Sequence, residues 1–171
     1  MTRGGPTIRD AAGGDAAAIS AIYNQGILDR IATLETEERT PDERAKWLAA
    51  RGPRHPVVVA ERDGMVVGWG SLNPFNPRKA YDYVADFSVY VARAWRGKGV
   101  GGAVLRTLIA RAKELGYHKM VLSAFPWNAG GMALYQKYGF RTVGVYQEQG
   151  LLDGKWVDTI IMEKILTETG S

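Results

Sequence analysis

The chain has 171 residues, 46% hydrophobic and 23% charged, with a formal net charge of +4, which predicts a single globular domain (1–171) able to bury its own core. It has no cysteine, which excludes disulfides, a thiol nucleophile and a Cys-based zinc site, and two lone histidines, His55 and His118, do not make a His-rich metal site, so no metal is expected. No apolar run nears the ~20 residues that span a bilayer, the opening MTRGGPTIRD lacks the apolar core of a signal peptide, and Lys and Arg form no tract of five or more; a cytoplasmic chain that binds neither membrane nor nucleic acid is the expectation.

PTIRDA reads as a short first strand ending at Asp10, and DAAAISAIYNQGI carries apolar residues at helical spacing with Asp15 as candidate N-cap. LDRIATLETEER is irregular, a loop or a short helix. TPDERAKWLAARG opens as a helix, with Thr40 as cap, Pro41 at the first helical position and Glu43 completing a capping box, and stops at Gly52-Pro53. HPVVVAERDGMVVGWGSLN is a hairpin turning at Asp63-Gly64. NPFNPRKAYDY, with two prolines, breaks regular structure; YVADFSVYVA is a strand; Ala103 to Leu115 is a helix closed by Gly116. KMVLSAF is a strand, NAGGMALYQKYGF a helix capped by Asn128 and stopped at Gly139, and RTVGVYQE and KWVDTIIMEKI are two last strands joined at Asp153-Gly154. The order β-α-α-β-β-β-α-β-α-β-β gives one mixed α/β domain.

Between the strand SVYV and the helix lies ARAWRGKGVGG. Glycines let a backbone approach a ligand, and a helix N-terminus offers free N–H groups and partial positive charge, so an anion is expected at Arg96–Gly102. A P-loop is ruled out because no lysine is followed by Ser or Thr. Gly97, Gly99 and Gly102 spell a dinucleotide fingerprint, but the next strand ends LSAF without the acidic residue that would hold a ribose, and the loop falls after four strands. The remaining template, R-x-x-G-x-G, is met by Arg96, Gly99 and Gly101; the plainer reading is a strand-to-helix turn with solvated basic residues.

With that loop the chain resembles the GNAT superfamily of N-acetyltransferases, a likeness continued by Asn128, Tyr135, Gly139 and Phe140 and by the order of elements from end to end. TLETEERTPDERAKWL, NPFNPRKAYDYVADFSVYV and LLDGKWVDTIIM are similar to the phosphinothricin and methionine sulfone (sulfoximine) acetyltransferase branch. The resemblance implies a central twisted mixed sheet of about seven strands flanked by about four helices. It also implies acetyl-CoA as cosubstrate, its diphosphate held by Arg96, Gly97, Lys98, Gly99, Val100, Gly101 and Gly102, its pantetheine arm along Val89, Tyr90 and Val91 and against Asn128. Gly131 stands where many relatives have Ser, one hydrogen bond fewer to the cosubstrate.

Amide formation from a thioester needs a neutral amine, and a carboxylate close by, directly or through water, can take its proton. The branch resemblance puts a Glu in this role two residues before Ser88; here the position is Asp86, one methylene shorter, which favours a relay water or passes the role to Tyr83 or Glu35. Tyr135 matches the acid toward the coenzyme thiolate. Without a cysteine, direct transfer in a ternary complex is the simpler course.

For the acceptor, the branch points to a small-molecule amine: a small amino-acid analogue with a tetrahedral oxo group, acetylated on its α-amino group. Arg78, Lys79, Ala80 and Tyr81 are the candidate contacts, with Phe75 and Tyr83 as walls and Glu35 at the mouth. Trp156 matches a branch position on the last hairpin, which fits a homodimer; Trp47, Trp69, Trp95 and Trp127 are expected in core or interface. The alternatives are another amine (a protein N-terminus, a polyamine, an aminoglycoside) or a non-catalytic acyl-CoA-binding module; the basic loop NPRKAYDY argues against cationic substrates.

Overall fold

A computed structural model describes residues 4–166. The elements follow the expected order: β1 (Thr7–Asp10), α1 (Ala16–Asp29), α2 (Pro41–Ala49), β2 (Val57–Arg62), β3 (Met65–Pro74), β4 (Val84–Val91), α3 (Val100–Glu114), β5 (Lys119–Ala124), α4 (Ala129–Lys137), β6 (Arg141–Leu152) and β7 (Lys155–Ile165). They build one seven-stranded sheet in the order β1-β2-β3-β4-β5-β7-β6, antiparallel throughout except between β4 and β5.

The sheet is covered on both faces, which explains why VVVA in β2 is continuously apolar instead of alternating. Val58 and Ala60 point into a core with α3, where Val104, Leu105 and Leu108 meet Met120, Leu122 and Met162. Val57 and Val59 point the other way, into a second core where Trp69 meets Ile19, Ile22, Tyr23 and Ile27 of α1. Each such buried aliphatic side chain contributes roughly 1.5–3 kcal/mol. At Gly70 of β3 a Cβ would lie 2.6 Å from Val104 Cγ1 and 2.9 Å from the Ser88 carbonyl oxygen, so only glycine lets α3 settle this close to β3.

Caps behave as the sequence suggests at α2 and α4: Thr40 Oγ1 accepts from the Glu43 N–H at 3.1 Å, and Asn128 Oδ1 accepts from the Gly131 N–H at 3.0 Å. Two details differ. The Glu43 carboxylate turns toward Arg39, 3.6 Å away, rather than back to the cap, and Asp15 accepts from the Ala12 N–H (2.7 Å) and from Nη1 and Nη2 of Arg9 instead of capping α1. The helix after the glycine loop also begins three residues earlier than expected, at Val100, because the left-handed Gly99 (φ 86°) turns the chain and the next residues are already helical. β6 runs on to Leu152 past two irregularities in its pairing with β7.

Candidate active site

The site arises from a break in the sheet. β4 and β5 pair in parallel over only Val84↔Lys119, Ala85↔Met120 and Asp86↔Val121. Beyond Asp86, β4 stays on β3 as far as Val91↔Gly68, while β5 stays on β7 as far as Ala124↔Ile160. Each strand is pinned on its outer side, so the two halves of the sheet diverge between them. The resulting cleft, about 610 Å³, runs from Asp86 along Val89, Tyr90 and Val91 to the glycine loop. Strand main chain without a neighbour is a row of hydrogen-bonding groups available to an extended ligand.

At the far end the loop is shaped for an anion. Gly97 and Gly99 have φ of 75° and 86°, a left-handed backbone costly for any residue with a Cβ. Gly97, Gly99, Gly101 and Gly102 line the cleft together with Arg96, and the first turn of α3 directs its N–H groups and positive pole there. The other two loop residues sit apart from the cleft wall. Lys98 places its ammonium 5.3 Å from the centre of the Trp95 ring, and the Val100 side chain is buried in the core, leaving only its backbone for a ligand. Arg96 donates through Nη1 to Asp29 at 2.7 Å.

Asp86 stands where the splay begins. Burial pushes its carboxyl up to about 6, and a hydrogen bond from the Phe87 backbone only partly offsets this. Tyr135 of α4 lines the same cleft, its ring edge-on to Phe87 (5.9 Å) and Phe140 (6.1 Å), and burial raises its hydroxyl to about 12. Tyr90 stacks on Trp69 at 4.9 Å and is raised still further by burial, so its ring anchors the wall. Asn128 lines the cleft while capping α4 and donating to the Ile31 carbonyl at 3.2 Å. A Cβ on Gly131 would fall 2.5 Å from Asn128 Nδ2; the missing side chain there is what lets Asn128 lie over the helix start.

The residues expected at the acceptor end are not brought to this cleft. Phe75 and Tyr81 form an exposed edge-on pair at 5.3 Å, Arg78, Lys79 and Ala80 lie on an exposed turn, and Tyr83 is 61% exposed. The paired rungs Val84–Asp86 separate them from the open part of the splay; the Tyr83 carbonyl accepts from the His118 N–H at the foot of β5. Glu35 pairs with Arg39 at 3.2 Å, outside the cleft wall.

Sequence reasoning missed the wall made by Ile31, Ala32, Thr33 and Leu34, and the contributions of Phe125 and Thr159. That stretch carries no motif; its position comes from tertiary ties. Trp127 Nε1 donates to the Arg30 carbonyl at 2.7 Å, Arg30 pairs with Asp153 at 3.0 Å, and Leu34 packs against Gly150. Trp127 is therefore a rim residue, 48% exposed and stacked on Phe125 at 4.4 Å, whereas Trp69 is core as expected.

Among the described residues there is no cluster of three or more His, Cys, Asp or Glu side chains suited to a metal ion, and no helix is long and apolar enough to cross a membrane. Residues 22–140 match the acetyltransferase (GNAT) family. The L-methionine sulfoximine/L-methionine sulfone acetyltransferase of Salmonella typhimurium is 34% identical over 95% of this chain and 95% of its own. A GNAT superfamily phosphinothricin acetyltransferase from Sinorhizobium meliloti, solved with AcCoA, superposes with a TM-score of 0.90 at 32% identity over 96% of this chain and 90% of that one. The ribosomal-protein-alanine N-acetyltransferase of Brucella melitensis does so with a TM-score of 0.90 at 36% identity, over 93% and 99%. A sheet that opens at Asp86 onto a glycine-rich helix start, on a chain so matched over most of its length, identifies an acetyltransferase that belongs to the GNAT family.

Proposed function

We propose that the protein transfers acetyl from acetyl-CoA to the α-amino group of a small amino-acid analogue of the methionine sulfone, methionine sulfoximine or phosphinothricin type, directly within a ternary complex. The observation that carries this reading is the carboxyl of Asp86, raised to about 6 at the point where β4 leaves β5.

The cleft fits the cosubstrate on this chain's own terms: a narrow, largely apolar groove ends in a backbone cradle whose glycines leave room for a diphosphate. Acetyl-CoA supplies an activated thioester. Val89, Tyr90 and Val91 offer main-chain groups along the groove, and an N–H there would stabilise the thioester carbonyl as charge develops on its oxygen. Asp86 is mostly ionised at neutral pH and accepts the proton of the incoming ammonium, whose pKa lies near ~8. Its short side chain favours a relay water. Tyr135 keeps its proton at neutral pH, since its hydroxyl titrates near 12. A coenzyme thiol is far more acidic than that, so Tyr135 serves the departing sulfur as a hydrogen-bond donor, and complete proton transfer from it runs uphill.

The relatives named for methionine sulfone and phosphinothricin support the acceptor class, and Arg78, Lys79 and Tyr81 would supply its donors from the exposed loop. The ribosomal-protein-alanine relative favours a peptide N-terminus as the second reading. β6 is an exposed edge strand bearing Val143, Val145, Tyr146 and Leu151, beside Trp156 on β7, and this surface suits a homodimer. Initial rates with acetyl-CoA and an amine panel test the reading. Intersecting lines with methionine sulfone or phosphinothricin are expected. Parallel lines would remove direct transfer, and turnover of an N-terminal peptide alone would move the acceptor to proteins.

A further inference from the structure

We propose that Asp29 is a positioning residue for the cosubstrate: without touching it, Asp29 holds the Arg96 guanidinium at the lip of the cleft and thereby sets the affinity for the diphosphate of acetyl-CoA. The inference rests on the reading of Arg96–Gly102 as a diphosphate cradle and asks what keeps its cation in place.

Asp29 is the last residue of α1, where a carboxylate faces the negative pole of the helix and no basic residue in the last turn offsets it. Its place makes little sense for the helix and good sense for its partners. Arg93 grips the carboxylate with two bonds, Nε to Oδ2 at 2.9 Å and Nη2 to Oδ1 at 2.8 Å, while Arg96 reaches it with Nη1 alone at 2.7 Å. These two arginines hold the Asp29 carboxyl near 2, so it is ionised whenever the enzyme works. Arg93 satisfies the carboxylate through its fork, and the surplus positive charge of the trio belongs to Arg96, which lines the cleft.

Arg96 has one other tether, a long bond from Nε to the Val91 carbonyl at 3.4 Å. Asp29 thus occupies one nitrogen of the guanidinium and leaves Nη2 for an anion. Removing the carboxylate frees a long side chain that must be ordered again on binding, at an entropic cost. It also adds net positive charge, but the cluster is partly exposed and its field is screened within ~8 Å at physiological salt. Lost orientation therefore outweighs gained charge. A second stitch between the same elements, the Arg93 N–H to Gln25 Oε1 at 2.8 Å, does not involve Arg96 and provides a control.

The test uses the full-length enzyme. Asp29→Asn should raise KM for acetyl-CoA, and the calorimetric Kd for CoA, about tenfold, the effect of disorienting one charge-assisted donor, with kcat and the amine KM nearly kept. Asp29→Glu should recover most of the affinity, and Gln25→Ala should leave it near that of the parent. S-acetylpantetheine, which has no diphosphate, should be turned over equally by Asp29→Asn and the parent. In an Arg96→Gln background, Asp29→Asn should add nothing. The proposal is overturned if Asp29→Asn binds CoA as tightly as the parent or tighter, if acetylpantetheine turnover falls in the same proportion, or if the Asp29 and Arg96 effects add. If Arg96→Gln alone leaves CoA affinity intact, the cradle reading falls too, an outcome distinct from additivity, which sinks only the role of Asp29.

Discussion

In the cleft Arg96–Gly102 is held by the left-handed backbone of Gly97 and Gly99, by Asp29, and by a helix packed hard against Gly70; outside it, beyond the paired rungs Val84–Asp86, Phe75–Tyr83 is an exposed loop whose charged side chains touch no part of the cleft. On the proposed function, the difference follows from what each region would recognise. A diphosphate is the same in every turnover, so preorganised N–H groups and a fixed cation suit it. An acceptor read by loop side chains is recognised by groups that can change without disturbing the core. The two regions meet at Asp86, where the sheet opens. The comparison can be broken at either end or at that junction.

The largest effect is expected at the junction. Asp86→Ala should lower kcat by ~10²–10⁴, the usual size for a lost general base, with little change in KM for acetyl-CoA. In the parent, the rate should fall as pH drops through about 6, where Asp86 takes up a proton, and the variant should lose that limb. If the pH profile keeps it, another group is the base.

The same carboxyl has the opposite consequence for stability. Its pKa in the folded chain lies above the ordinary 3.8, so the native state binds the proton more tightly than the unfolded one. Below about 4 both states are protonated and nothing is lost; between about 4 and 6 stability falls as pH rises, and above 6 the full penalty stands, on the order of 3 kcal/mol at most. Asp86→Asn should therefore raise Tm at pH 7.5 and change it little at pH 4. An equal shift at both values would mean that the amide simply packs better.

At the rigid end, Gly99→Ala forces an L side chain to φ 86°, and the strain of roughly 1–2 kcal/mol should weaken CoA binding ~10-fold while Tm moves only modestly. Unchanged affinity would show that the loop relaxes and that its geometry is not what binds.

How much of this was legible follows the same divide. Gly97, Gly99, Gly101 and Gly102 announce their backbone in the sequence because glycine is chosen for φ and for space, both local properties, and Thr40 and Asn128 announce helix starts for the same reason. Asp86 was visible as a candidate, but its raised pKa was not, since that depends on the burial the folded chain gives it where β4 leaves β5. The wall Ile31–Leu34 was invisible: nothing in IATL says that Trp127 and Asp153, about a hundred residues on, will fix it. Arg96 and Lys98 look alike in sequence, yet one is tied to Asp29 at the lip and the other rests on Trp95. Periodicity set the element order, and contacts remote in sequence set which polar groups face the cleft.

The smallest effect is expected at the exposed loop, and it bears most on the acceptor. Arg78 and Lys79 are exposed and belong to no ion pair among the described residues, so replacing both by alanine should leave stability within ~0.5 kcal/mol. If the loop reads the acceptor, the double variant should raise the amine KM by about 3–10-fold, since each flexible surface cation contributes up to ~1 kcal/mol, with KM for acetyl-CoA unmoved. The effect should shrink as salt is raised, because exposed charges act through screened fields. It should also be larger for phosphinothricin, with its anionic phosphinate, than for methionine sulfone, whose sulfone group carries no charge. An amine KM equal to the parent's at low salt would assign both cations to solvent. Acceptor choice would then rest with the wall around Leu34 and Phe125, the part of the cleft that the sequence did not disclose.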